Sequence, residues 1–379
     1  MQTSMAGNTR AVKWLGWIAV CICGSFVAVS VGTLGNPGPE KANKFNGKGN
    51  VVIADQFNNR VIEVDPETHE VVWQFGDGSA VPGPHSIVGT NDAERVGPLT
   101  LIAGTGIPPN TATTCTNPAG CPDNRVILVN PAGHIVWQYG QAGVAGAGPN
   151  QLNVPVCSVF LPSGHILITD QSNQRVIEVT RGKRIVWQYG MTGVSGSSPN
   201  QLNNPNSAEL LENGHILIAD ENNNRVIEVT RGLQIVATFT ASGSPMPVSG
   251  AAFASRLPNG DTLITDSNNS RIVEVDENDG LVWQYFTNDP KGNPTPFPTR
   301  AVRLRNGNTL ISDQFNDRVI EVDPAGNIVW TQGKLNVPGN GFDQLYGPYD
   351  AKVVGDYTGL TPPHRGDDEG EQEGNGIMR

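Results

Sequence analysis

The sequence predicts an all-β fold: a six-bladed β-propeller closed by its C-terminal inner strand and preceded by an N-terminal signal or anchor helix. The first observation is composition. With 45 Gly and 28 Pro but only 16% charged residues, the chain suits many short strands joined by tight turns. The second is internal repetition, because a period of roughly 40–50 residues marks propeller blades.

The repeated unit is clearest at residues 50–64, where Asp55 is followed by Asn58 and Arg60. Asp and Arg recur with the same spacing at Asp170 and Arg175, Asp220 and Arg225, Asp266 and Arg271, and Asp313 and Arg318. A degenerate copy has Leu101-Ile102-Ala103-Gly104 as its first strand and Arg125–Val129 as its second, which makes six units. After most copies comes a strand ending in Val-Trp, at Trp73, Trp137, Trp187, Trp283 and Trp330, with Val236-Ala237 the exception. Before most copies lies a fourth strand, such as Pro155–Leu161 or Pro205–Leu211.

Four short strands bounded by Gly, Asn and Asp turns describe one blade, and blades bury their faces only by stacking in a closed ring. The first copy lacks a preceding strand, whereas an orphan strand stands at Pro348–Val354. It is expected to complete the first blade.

The expected organisation is a signal peptide or membrane anchor at 1–34, a linker at 35–49, the propeller at 50–358 and a disordered acidic tail at 359–379. Arg10 and Lys13 precede an apolar run from Trp14 to Leu34, the pattern of an export signal. Ala28-Val29-Ser30 suits signal-peptidase cleavage, yet the run is also long enough to remain as a membrane-spanning anchor. Either way the propeller is expected outside the cytoplasm: periplasmic, secreted or anchored to the outer side of the membrane. A formal net charge of −11 repels a phosphate backbone and argues against a nucleic-acid partner.

The unit Gly-His-Ile-Leu-Ile-Ala-Asp with its following Asn and Arg, at 214–225, resembles an NHL repeat. The extension Val-Ile-Glu-Val-Asp leading to Val-Trp, at 319–330, is similar to the repeats of bacterial arylsulfotransferase-like propellers. These resemblances imply a propeller over roughly residues 50–355. The stretch from Asp65 to Trp73 also looks like the tryptophan-docking motif of quinoprotein dehydrogenases, which implies eight blades and a quinone; six are present, without a vicinal cysteine pair. The arylsulfotransferase likeness implies a channel histidine as nucleophile, and among the expected inner-strand openings only Pro84-His85-Ser86 supplies one.

Repetition separates scaffold from chemistry. The Asp–Arg pairs recur in nearly every blade and read as turn locks, with the Asn tolerating a left-handed turn. His165 and His215 occupy one repeat position and are not expected to bind metal. No motif names a reaction, metal or cofactor. Cys115 and Cys121 flank a short loop and are expected to pair as a disulfide; Cys157 stands alone, in place of Ser207 in the next blade, as a buried thiol.

What does not repeat is the set of inner-strand openings, and His85, Asn206, Arg300, Tyr349 and Asp350 are the expected ligand-binding residues at the central funnel. His85 and Arg300 are the catalytic candidates, expected to be replaceable without loss of folding. An insertion between Gly104 and Arg125 should overhang the same face. The function expected is an exported binding or assembly module that takes a small molecule or protein at the funnel face; the alternative is an arylsulfotransferase-like transferase or hydrolase working in the channel.

Overall fold

The computed structural model describes residues 45–356. The expected leader, most of the linker and the acidic tail lie outside the described residues.

The described residues form six four-stranded antiparallel sheets. Blade 2 comprises Thr90–Val96, Leu99–Ile107, Cys121–Val129 and Ile135–Gly140, and blade 3 Pro155–Phe160, Ile166–Asp170, Arg175–Val179 and Ile185–Tyr189. Blades 4, 5 and 6 have inner strands Pro205–Leu210, Ala251–Arg256 and Arg300–Arg303 and outer strands Ile235–Phe239, Leu281–Phe286 and Ile328–Gly333. Inner strands touch their neighbours in ring order, the last against the first, which makes the fold a six-bladed propeller.

In blade 1 the inner strand is Pro348–Val353, paired antiparallel with Val51–Asp55 in the register Val51↔Val353 and Ala54↔Asp350. Arg60–Val64 and Val71–Phe75 complete that sheet. Strands from the two ends of the described chain thus share one sheet, and Gly49 and Val354 continue the pairing.

Each repeated Asp ends its strand, and the chain then makes a single 3₁₀ turn, as at Gln56–Asn58. The Arg two residues past that turn pairs with the Asp at 2.7–2.8 Å, as in Arg60–Asp55 and Arg175–Asp170. The Asn three after the Asp is not the left-handed residue; its amide donates to the same carboxylate, as Asn58 does to Asp55 at 2.8 Å. The next residue takes positive φ: Asn59, Gln174, Asn224, Ser270 or Asp317. Four of these five side chains accept a backbone N–H from the loop entering the next blade, as Asn59 Oδ1 does from Gly89 and Asp317 Oδ1 from Gly347. In blade 2, where Gly104 replaces the Asp, Asp123 supplies the carboxylate to Arg125 at 2.6 Å.

The tryptophans tie blades at the periphery. Each indole N–H donates to a turn carbonyl of the following blade: Trp73 to Pro131, Trp137 to Arg181, Trp187 to Arg231, Trp283 to Pro324 and Trp330 to Pro66. Blade 4 has Ala237 instead. Its outer loop is held by Asp279 of blade 5, whose carboxylate accepts the N–H groups of Thr240, Ala241 and Ser242.

Cutting the chain after Gly347 removes an inner strand and leaves the edge of Val51–Asp55 unpaired. Thermal melting of that truncation should fall far below that of the full chain, while a chain ending at residue 365 should melt like the parent. Equal melting of all three would show that the terminal strand does not hold the ring.

Candidate functional site

Pairing registers define what lines the axis. The inner-strand residue opposite the position before the repeated Asp is Asp350 in blade 1, Asp92 in blade 2, Cys157 in blade 3, Ser207 in blade 4, Phe253 in blade 5 and Arg300 in blade 6. Two residues further along each strand come Lys352, Glu94, Val159, Glu209, Ser255 and Val302.

One expectation fails here. Blade 2 opens its inner strand at Thr90, not at Pro84-His85-Ser86. The segment before it packs Ile87 and Val88 into the hydrophobic core, so the proline there does not mark a strand start as Pro155 and Pro205 do. Asp92, not His85, holds the axial position.

His85 is exposed. It lies against His134, with ring centroids 6.4 Å apart, beside an open cleft of about 560 Å³ that is also lined by Pro84, Arg125, Ile135 and Gln138.

The other four candidates do meet at the axis. Arg300 reaches Asp350 at 2.6 Å and Asp92 at 2.7 Å, while Lys352 reaches Asp92 at 2.8 Å and Asp350 at 2.7 Å. The guanidinium also stacks over Phe253, 4.2 Å from its ring centroid. Two acids and two bases from blades 1, 2 and 6 thus form a buried quartet, in which burial raises the Asp350 carboxyl against the pull of Arg300 and Lys352.

Burial pushes the Asp92 carboxyl up, but Lys352 and Arg300 outweigh it and hold the group below its usual range. Lys352 and Arg300 are pushed down by burial, and Asp350 and Asp92 more than reverse this. All three are therefore ionised. Ser158 adds backbone and hydroxyl donors to Asp92 at 3.0 and 3.2 Å.

Above the quartet, Tyr349 and Asn206 meet across the axis from opposite blades. The phenol donates to Asn206 Oδ1 at 3.1 Å and accepts from Nδ2 at 2.9 Å. The same Nδ2 reaches Glu221 at 3.0 Å.

Deeper in the channel stand two carboxyls outside the quartet. Burial raises Glu94 to about 7 against the pull of Lys352, and raises Glu209 well above the carboxylate range. Burial, with Asp92 nearby, also lifts the Cys157 thiol to about 11, so it is protonated and a poor nucleophile. The void among these side chains is about 20 Å³, room for about one water molecule.

Sequence reading missed Asp92, Lys352, Glu94 and Glu209. The registers reveal them, because Asp92 and Glu94 lie in one inner strand beside Arg95, Lys352 lies in the strand that holds Asp350, and only the pairing shows which of these charges face the axis.

The insertion pairs Cys115 with Cys121. It packs with Phe57, Val88 and Ile107 and with Tyr346, and Thr114 donates to the Phe57 carbonyl. It therefore leans on the 3₁₀ turn of blade 1, on the face where chains enter the inner strands.

No protein-family model matches the chain, and no curated protein matches it. Among solved structures, a protein of unknown function from Bacteroides caccae is similar with a TM-score of 0.51 and 18% identity, over 75% of this chain and 93% of that one. Virginiamycin B lyase from Staphylococcus aureus gives a TM-score of 0.44 and 14% identity, over 67% of this chain and 75% of that one. The first likeness speaks to the fold alone.

Two outcomes follow. Removing one member of a buried ion cluster costs about 3–5 kcal/mol, so Arg300→Ala and Lys352→Ala should both unfold at much lower denaturant, contrary to the expectation that Arg300 is dispensable for folding. Glu94 binds its proton up to about pH 7 when folded but only to about 4.3 when unfolded. Its contribution therefore weakens as pH rises from about 4.3 to 7, by roughly 3–4 kcal/mol. Glu94→Gln should match the parent near pH 4.3, exceed it at pH 8 and show a flatter stability profile between; parallel profiles would rule this out.

Proposed function

We propose that this propeller is a non-catalytic binding module working outside the cytoplasm, and that it docks a protein partner through the face bearing the inter-blade loops. The observation that carries this is the composition of that face. The loops between blades, at 76–89, 141–154, 190–204, 240–250, 287–299 and 334–347, together with the insertion at 105–120, hold only Asp77, Asp289, Lys291, Lys334 and Asp343 as charged residues. Three acids and two bases leave −1 there, in a chain of net charge −11.

The same loops expose Val81, Val144, Met191, Val194, Met246, Val337 and Phe342, with Val81 70% and Phe342 69% accessible. Depletion of charge with exposed Met and Phe is the compositional mark of an interface core. The partner's surface should therefore be apolar and poor in charge.

Geometry supports this choice of face. The described chain begins beside Trp73 and Arg95, where Phe45 packs, and ends near Gly49, both on the opposite, turn-bearing face. Neither end of the described residues lies on the loop face. The disulfide fits a non-reducing compartment, and export through the basic and apolar leader at 1–34, as a cleaved signal or a retained anchor, accounts for it.

Channel chemistry has less support. The six inner strands contain no histidine, the nucleophile that the arylsulfotransferase resemblance requires, and the void among the axial side chains is only about 20 Å³.

A photo-cross-linking residue placed at Val194 or Phe342 in the full chain, in its native cells, should trap a protein adduct, and one at Val236 or Val282 on the outer strands should not. Val144→Asp and Phe342→Asp are exposed changes that should move stability by less than about 0.5 kcal/mol yet abolish the adducts. Adducts from the outer strands alone would sink this reading.

A further inference from the structure

We infer that His85 and His134 form a two-imidazole site for a borderline divalent cation such as zinc, nickel or copper(II). The two residues lie 49 positions apart in sequence, one in the loop entering blade 2 and the other in the turn before that blade's outer strand. The fold brings their rings to 6.4 Å, centroid to centroid, at 57°.

The spacing suits a shared ion. A metal about 2.0–2.1 Å from one nitrogen of each ring stands roughly 3.2 Å from each centroid, so the centroids can be no more than about 6.4 Å apart and approach about 5.2 Å at a tetrahedral angle. Both side chains are exposed, and closing the remaining ~1 Å needs only side-chain rotation. Imidazole selects this group of metals over calcium or magnesium.

The backbone beneath each ring is fixed. Arg125 donates to the carbonyls of Gly83 at 3.1 Å and Ser86 at 2.8 Å, on either side of His85. Ser86 Oγ donates to Asp77 at 2.9 Å. On the other side, His134 N–H donates to Asn130 Oδ1 at 2.9 Å, and its carbonyl accepts from Asn130 N–H at 3.0 Å. The backbones that carry the two rings are therefore fixed before a metal arrives, so the ordering that binding requires is confined to side-chain rotation.

Among the described residues no three His, Cys, Asp or Glu come together to hold a metal, so two protein ligands leave coordination positions open. These face the cleft of about 560 Å³ beside the pair, where water or a small donor ligand can complete the shell. His165 and His215 cannot serve in this way, because each already bonds a glutamate at 2.6 Å, Glu178 and Glu228.

The test is titration of zinc and copper(II) into the full chain, purified without a histidine tag. Calorimetry should show a saturable site, and the copper(II) spectrum should show splitting by two imidazole nitrogens. His85→Ala and His134→Ala should each weaken binding by about tenfold or more and erase that two-nitrogen pattern, with melting of the metal-free protein unchanged. His165→Asn should bind as the parent does. The inference is overturned if the parent shows no saturable binding, or if the double variant His85→Ala/His134→Ala binds and gives the same spectrum as the parent.

Discussion

Everything on the loop face depends on one buried carboxylate, repeated in five blades and replaced in the sixth. Asp170 accepts from Arg175, from the Asn173 amide and from the backbone N–H of Asn153. One side chain therefore joins the start of the third strand, the 3₁₀ turn and the loop that enters the inner strand. Burial raises these acids, Asp313 to about 6, so the cost of their charge is met only while all the donors stay in place. The lock is stiff for that reason, and the exposed Val, Met and Phe side chains are carried by loops that leave and return through it.

A second set of contacts works around the circumference. Positive-φ side chains such as Gln174 and Asn224 catch the next blade's entering loop, and the indoles of Trp137 and Trp187 catch the next blade's turn. These lie on opposite faces of each sheet stack, so neighbouring blades are pinned top and bottom. Where the series lapses, at Ala237, Asp279 gathers three backbone N–H groups from the preceding blade's outer loop. The substitution differs in chemistry but links the same two blades.

The fold was legible because blades repeat: Asp, Asn, Arg and Trp recur at fixed offsets, and six copies identify their own boundaries. The disulfide was legible from two cysteines six residues apart. The axial cluster was not, and the reason is register. Thr90 stands five positions after His85, and the repeat contains no mark that says which residue in that stretch opens the strand, since Pro84 looks like Pro155 and Pro205. Only the pairing Asp92↔Ala103 shows that the acid of blade 2 stands level with Arg300 and Asp350. Lys352 was hidden similarly, two residues past Asp350 in an orphan strand whose partner lies some 300 residues earlier. His85 and His134 were both visible as histidines, but nothing in the sequence relates a loop to a turn 49 residues on.

A propeller must decide what to do with its axis, and the decision limits where recognition can occur. Six identical inner strands would line a channel with six copies of one side chain, which neither fills it nor recognises an asymmetric ligand. Here the copies diverge at two successive axial levels. At the first, opposite charges from blades 1, 2 and 6 neutralise one another while Phe253 covers the guanidinium. At the second, burial raises Glu94 to about 7 and Glu209 well above the usual carboxylate range. Divergence of this kind lets charges from three blades pair within the protein. The loops are under the opposite constraint: in blades 1, 3, 4 and 5 the repeated carboxylate holds the backbone where the loop enters the inner strand, so the residues before that point can vary without unfolding the ring. On the proposed reading, asymmetry at the axis serves packing between blades, and asymmetry at the loop face and the His85 cleft is what a partner would read.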